Sequence, residues 1–242
     1  MGKKKNIIYT IFIMVFSIIC GIISKDYFLG TIILASGLLN SYYASVGKIY
    51  NYIFGAVYCA LSGYVCLKTG LYGIAILSFA VYFPSQIHGY FSWKNKKNEN
   101  KEVKVRGFTL KNSIIIISSC IIGSLLLGLL LSKIPTQQLV FLDSSSNILN
   151  LCGIILMNLR FKECWAVWLF NNTVDLIIWV VNYMNNTVNS TMMLLVSIGY
   201  LLINIYGLIK WYKKSGYEIW NIVWLKLPLE LRKKQIKQLM NY

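Results

Sequence analysis

"YFPSQIHGYFSW", Tyr82 to Trp93, and "YLLINIYGLIKW", Tyr200 to Trp211, share one skeleton. Each begins with a tyrosine. Four residues on comes an amide, Gln86 or Asn204; then a glycine, Gly89 or Gly207; then a tryptophan, Trp93 or Trp211. Steps of four, three and four set these residues on one face of a helix. Both stretches lie in apolar surroundings, so each would bury an amide inside a membrane. A skeleton that occurs twice invites a search for a longer repeat.

The likeness extends upstream. "FLG" at 28–30 parallels "FLD" at 141–143, Lys48 and Lys162 mark the same inter-helix turn, and Tyr52 parallels Trp165. Residues 28–94 and 141–214 therefore read as two copies of a three-helix unit. Both copies start on the same side of the membrane, so they are parallel, and an odd number of crossings must join them. The apolar run "NSIIIISSCIIGSLLLGLLL" supplies that crossing within 112–140. Parallel repeats about an axis along the membrane normal are a transporter design, with the solute held near the midplane between the halves.

Composition fixes the class. Of 242 residues, 57% are hydrophobic and 13% charged, where a soluble domain carries about 25% charged residues. The charges cluster, and between them lie runs of about 17–23 apolar residues, enough to cross ~30 Å of hydrocarbon. Eight spans are expected, at roughly 6–24, 29–46, 50–67, 71–93, 112–132, 141–159, 163–184 and 190–212. The chain reads as an all-α polytopic membrane protein with a 1+3+1+3 order. The alternating ten-residue segments of a transmembrane barrel are missing. The first helix, in 1–27, has no clean small-x-small cleavage pattern and reads as a retained, peripheral span.

The formal net charge of +16 needs no nucleic-acid partner. With the N-terminus inside, one side receives Lys3, Lys4, Lys5, Lys48, the loop within 95–111, "RFK" at 160–162 and the tail beyond Lys210. The other receives Lys25, Lys68 and Lys133. That is the positive-inside pattern. It sets both termini in the cytoplasm of a bacterial-type plasma membrane. Residues 215–242, with Trp220, Trp224 and Leu227 at helical spacing, read as an amphipathic helix on the inner leaflet.

The chemistry lies in the seventh span, "ECWAVWLFNNTVDLIIWVVNYM". Trp165, Trp168, Asn172, Asp175 and Trp179 follow steps of three, four, three and four, so indoles, an amide and a carboxylate share one face. A carboxylate within a span costs at least ~2.5–3.5 kcal/mol and commonly marks a substrate or ion pathway. Two readings of Asp175 stand: it lines a solute path, or it is a protonated packing contact. Trp168 lies deeper than Trp93, Trp165 and Trp211, which read equally well as interfacial anchors, and it suits stacking of a planar ligand. Gln86 and Asn204 are amides at equivalent points, flanked by Tyr82 and Tyr200. Gly89 and Gly207 permit close helix approach, and Pro84 should kink its helix. His88, the chain's one histidine, reads as structural.

Several function classes fall away. There is no phosphate loop for ATP hydrolysis, no nucleophilic triad and no H-E-x-x-H, so no enzyme is expected. The six cysteines show no C-x-x-C spacing and read as packing residues, so neither a metal nor another cofactor is expected. The pattern favours passive, uniport-like movement of a small aromatic solute. The partners are that solute and the lipid bilayer, with homo-oligomerisation left open.

"GKIYNYIFGAVYCALSGY", "YFPSQIHGYFSW", "ECWAVWLFNNTVD" and "YLLINIYGLIKWYKK" together resemble the motifs of the PnuC vitamin transporters over about residues 28–214. The resemblance implies a SWEET-like 3+1+3 core. It implies facilitated diffusion of nicotinamide riboside, trapped by cytoplasmic phosphorylation, with Gln86, Trp165, Trp168, Asn172 and Asn204 carried over from the family pattern. The cationic pyridinium of that solute suits a tryptophan-lined site containing a carboxylate. Asp175 stands where many relatives have serine, Tyr90 where tryptophan is usual, and Tyr58 where asparagine is common. Alternatives are a same-fold carrier of thiamine, of another vitamin such as riboflavin, or of a deoxynucleoside, or a substrate-binding subunit of a separate ATPase. The parallel repeat argues against the last.

Overall fold

The computed structural model describes residues 3–24, 28–68, 76–96, 103–133, 139–185 and 190–215. The expected amphipathic helix in 215–242 lies outside the described residues except for Ser215. The described chain forms eight helices: α1 Lys3–Ser24, α2 Leu29–Val46, α3 Tyr50–Lys68, α4 Phe83–Lys94, α5 Leu110–Leu131, α6 Val140–Asn158, α7 Cys164–Met184 and α8 Ser190–Lys214. The architecture is all-helical, and the expected boundaries agree to within a few residues except at the start of the fourth span, where α4 begins at Phe83 after a π turn and the expected 71–75 lie outside the described residues.

Segments in α1, α2, α5, α6 and α7 are long and apolar enough to cross a membrane. The other three helices carry more polar and small residues: Asn51, Tyr52 and Gly55 in α3, Gln86 and Gly89 in α4, Asn204 and Gly207 in α8. Helices enclosed by other helices can carry such groups at little cost. By contrast α1 and α5 show long runs of exposed isoleucine and leucine, the composition that lipid tails favour.

Packing follows a cross-over order. Within the first triplet α2 packs on α3 and α3 on α4; within the second α6 packs on α7 and α7 on α8. Between triplets, α2 meets α8 and α4 meets α6, while α1 lies on α2 and α5 on α6. Helix α1 contacts α2 through polar groups: Asn6 accepts from the Tyr42 hydroxyl at 3.2 Å, Thr10 and Tyr43 share a 3.0 Å hydrogen bond, and Ser17 is buried.

The Pro84 kink takes a specific form. A π turn, Ser78–Tyr82, runs directly into α4, and the Phe83 amide reaches back five residues to the Ser78 carbonyl. Proline has no N–H and its ring crowds the preceding turn. Widening that turn relieves the crowding without ending the helix.

At one end the inter-helix loops repeat each other. Gly47 (φ 76°) and Arg160 (φ 68°) both adopt the left-handed conformation. The Gly47 and Lys48 amides bond to the Ala44 and Tyr43 carbonyls, and the Arg160 and Phe161 amides bond to Met157 and Leu156. Both are Schellman closures, one with glycine and one with arginine in the strained position.

Beneath them Tyr52, Trp93, Trp165 and Trp211 form a buried cluster. Ring centroids are 5.0 Å apart for Tyr52–Trp93, 5.7 Å for Trp93–Trp211 and 5.8 Å for Trp165–Trp211. The Trp93 indole donates to the Met157 carbonyl at 3.0 Å. The Trp211 indole donates to Ala44 and Ser45 carbonyls at 3.1 and 3.2 Å. Each tryptophan thus caps the first helix of the opposite triplet. These three tryptophans are fully buried, so the reading of them as interfacial anchors is corrected: the Trp93 and Trp211 indole N–H groups find helix-end carbonyls in place of lipid headgroups, and Trp165 is enclosed by Trp168 and Trp211. Trp93→Phe and Trp211→Phe should each lower the thermal midpoint in detergent, by a loss of about 1 kcal/mol from the net hydrogen bond plus lost ring contact. Equal losses are expected because the two contacts are equivalent.

Candidate functional site

The marked residues fall into two groups, one on α4 and its neighbours α2 and α3, the other on α7 and α8. In the first, Gln86 is 6% exposed. Its Oε1 lies 3.5 Å from Asn40 Nδ2, which also donates to the Asn51 carbonyl at 2.8 Å. Both amides sit over Gly55, where a Cβ would collide with them. That glycine lets two amides from α2 and α4 approach α3 closely. The Gln86 amide nitrogen has no hydrogen-bond partner among the described residues.

In the second group Asn204 is 3% exposed and donates to the Trp168 carbonyl at 3.2 Å. The Trp168 indole lies on Gly153 of α6, again where a Cβ would collide. Trp165 packs edge-on behind it, with centroids 5.3 Å apart and planes at 75°, and its ring covers Gly207. Trp165 is fully buried and its Nε1 has no acceptor among the described residues. In this conformation it supports the half-buried Trp168. Asn172 is 8% exposed, and its side-chain amide makes no hydrogen bond among the described residues.

Asp175 lies two turns beyond Trp168 on α7, about 10 Å along the axis at 1.5 Å per residue. Ser146 of α6 donates to its Oδ1 at 2.5 Å and Asn171 to its Oδ2 at 3.0 Å. Two donors aimed at the two oxygens suit a carboxylate. No basic side chain pairs with it among the described residues. Tyr82 interacts with Asn150 of α6, and the Tyr200 hydroxyl lies over Gly37 of α2 beside Tyr58. Both tyrosines therefore reach from the last helix of one triplet to the first helix of the other. No hydrogen bond joins Gln86 to Asn204 among the described residues. His88 is exposed on α4, away from both groups.

The spacing of polar residues missed Asn40, Ser146 and Asn150. A signal for them existed: Asn40 diluted the second span, and "SSSNILN" placed Ser146 and Asn150 one turn apart on α6. Their partners lie on other helices, which no local pattern displays.

Two apolar cavities of about 540 and 640 Å³ border α5 and share Phe108, Ile116, Cys120 and Leu156. Neither is lined by any of the marked residues. Their walls are mostly isoleucine and leucine, with Asn112 and Ser119 in one and three serines and Glu163 in the other. No cluster of metal-ligating side chains occurs among the described residues, and the described cysteines are free thiols.

Comparisons with known proteins identify the family. A family model described as "Nicotinamide mononucleotide transporter" matches residues 27–213. A protein from Neisseria mucosa named nicotinamide riboside transporter PnuC is 29% identical over 79% of this chain and 74% of its own length. The protein of that name from Haemophilus influenzae is 30% identical over 78% of this chain and 81% of its own. A solved structure titled as the vitamin B3 transporter PnuC superposes with a TM-score of 0.73 at 25% identity, covering 88% of this chain and 93% of that one. The chain is a multi-pass membrane protein belonging to the PnuC family of transporters, and not to a family of enzymes.

Proposed function

We propose that the chain takes up nicotinamide riboside by facilitated diffusion, binding it near the bilayer midplane between residues 28–94 and 141–214. The observation that carries this reading is the single face of α7 on which Trp168, Asn172 and Asp175 lie, with Asp175 held by Ser146 and Asn171. A half-buried indole offers a stacking surface to a planar cation, an unpartnered amide offers hydrogen bonds, and a carboxylate offers compensating charge. The names of the relatives point to the same solute. Gln86 and Asn204 form the two sides of the clamp, with Tyr82 and Tyr200 above them and Trp165 behind Trp168.

The two triplets act as parallel repeats. The reciprocal packing of α2 on α8 and α4 on α6 supports this, as do the exchanged caps of Trp93 and Trp211. Since α1 lies on α2 as α5 lies on α6, the 1+3+1+3 order reads as one four-helix unit used twice. Lys48, Arg160, Lys162 and the Lys210–Lys214 stretch share the end that faces the cytoplasm. Once inside, the riboside is phosphorylated, and the added charge prevents its return.

A calorimetric screen of the purified protein tests the solute. Nicotinamide riboside, thiamine, riboflavin and deoxynucleosides are titrated in turn. Nicotinamide riboside should bind most tightly. Thiamine, also a cation, is the informative competitor: if it binds and nicotinamide riboside does not, the assignment of solute is wrong.

A further inference from the structure

We propose that Val103–Phe108, in the connection between the two halves, is a strap that latches them together at the basic end, and that opening on this side requires it to lift. This rests on the reading above only in taking the chain to move a solute between two halves. The Val103 amide donates to the Gly47 carbonyl of the first half at 2.9 Å. Three residues on, Arg106 donates to the Arg160 carbonyl at 2.8 Å and accepts from the Lys162 amide at 2.9 Å, both in the second half. The Phe108 amide bonds to the Glu163 carboxylate at 3.0 Å. Six residues thereby tie the two equivalent Schellman loops to each other.

The side chains repeat the pattern. Val103 is 2% exposed and sits in the cluster of Ala44, Tyr52 and Trp93 from one half and Met157, Cys164, Trp165 and Trp211 from the other. Phe108 lies 4.2 Å from the Phe161 ring, and the Arg106 guanidinium lies 4.7 Å above that ring. The cluster beneath joins residues of both halves, so any widening there must withdraw Val103.

The strap is also built to release. It carries Lys104 and Arg106 to an end already holding Lys48, Arg160 and the buried Lys162, whose ammonium lies 4.6 Å over the Tyr212 ring, with Glu163 as the nearby acid. Burial, and next to it the charge of Arg106, hold the Arg160 pKa below its ordinary value. Burial likewise lowers that of Lys162, against an opposing pull from Glu163. A valine, the Phe108 and Arg106 contacts with the Phe161 ring and a few hydrogen bonds, set against like charges, make a contact small enough to break and reform.

Cys164 reports the latch, because it is wholly buried in the cluster that Val103 covers. In the full chain with Cys164 as its one cysteine, the rate of labelling by a water-soluble maleimide is measured for the parent and for Val103→Asp and Val103→Ser. A parallel set keeps Cys59 alone, buried in α3 outside that cluster. Val103→Asp should speed Cys164 labelling at least tenfold and Val103→Ser by less, with Cys59 unchanged. Unchanged Cys164 labelling in both variants overturns the latch. So does an equal rise at Cys59, which means general loosening. No solute enters this assay, so failure of the solute screen leaves its result intact.

Discussion

Asp175→Asn should weaken nicotinamide riboside binding about tenfold while leaving the affinity for an uncharged ring analogue nearly unchanged. The size follows from distance. With the pyridinium stacked on Trp168, the carboxylate lies about 10 Å away, and two unit charges at that separation interact by roughly 1.7 kcal/mol at an effective dielectric constant of about 20. A factor of ten corresponds to about 1.4 kcal/mol. Were the cation to touch the carboxylate at about 4 Å, the same arithmetic gives ~4 kcal/mol and a loss near a thousandfold. The measured factor therefore also locates the ring along α7. Asparagine keeps the size of the side chain and one acceptor for Ser146, so packing should survive. Equal affinity of the cation for variant and parent would show that Asp175 is a packing contact.

Trp168→Ala should have the larger effect. Removing the indole deletes a desolvated cation–π contact worth up to ~2 kcal/mol or more, together with the surface that the ring shields. It also uncovers Gly153, which the indole now fills. A loss of at least thirtyfold in affinity is expected by calorimetry. Trp168→Phe keeps a π face in the same place and should recover much of it. If alanine and phenylalanine variants lose affinity equally, the ring does not stack on the solute and Trp168 acts through helix packing alone.

The helices were legible because a membrane span is a length of apolar chain, and charge clusters punctuate it. The expected 29–46 coincides with α2, and the expected 163–184 differs from α7 by one residue. The two-copy reading rests on matched residues with matched contacts: Gly89 with Tyr52, and Gly207 with Trp165. The fate of the tryptophans was not legible. A tryptophan at a span end looks the same in sequence whether it meets headgroups or the opposite half, and only tertiary packing decides. The same holds for the partners of Asp175. Asn171 was visible one turn away, but Ser146 comes from α6, across a gap of 29 residues.

One difference between the halves sharpens the picture. In the first, Asn40 of α2 sits over Gly55 of α3; in the second, Gly153 of α6 sits under Trp168 of α7. The large and small positions are exchanged, so one half presents amides and the other an indole. A solute with an aromatic ring and a polar sugar would find a different wall on each side.

Uptake of labelled nicotinamide riboside into proteoliposomes tests the central claim most directly, with neither an ion gradient nor ATP supplied. Uptake should proceed down the solute gradient, saturate, and stop when inside and outside concentrations are equal. A kinase and ATP enclosed in the vesicles should then extend it. Absence of uptake until an ion gradient or external ATP is supplied, with the protein shown to bind the solute, would contradict facilitated diffusion.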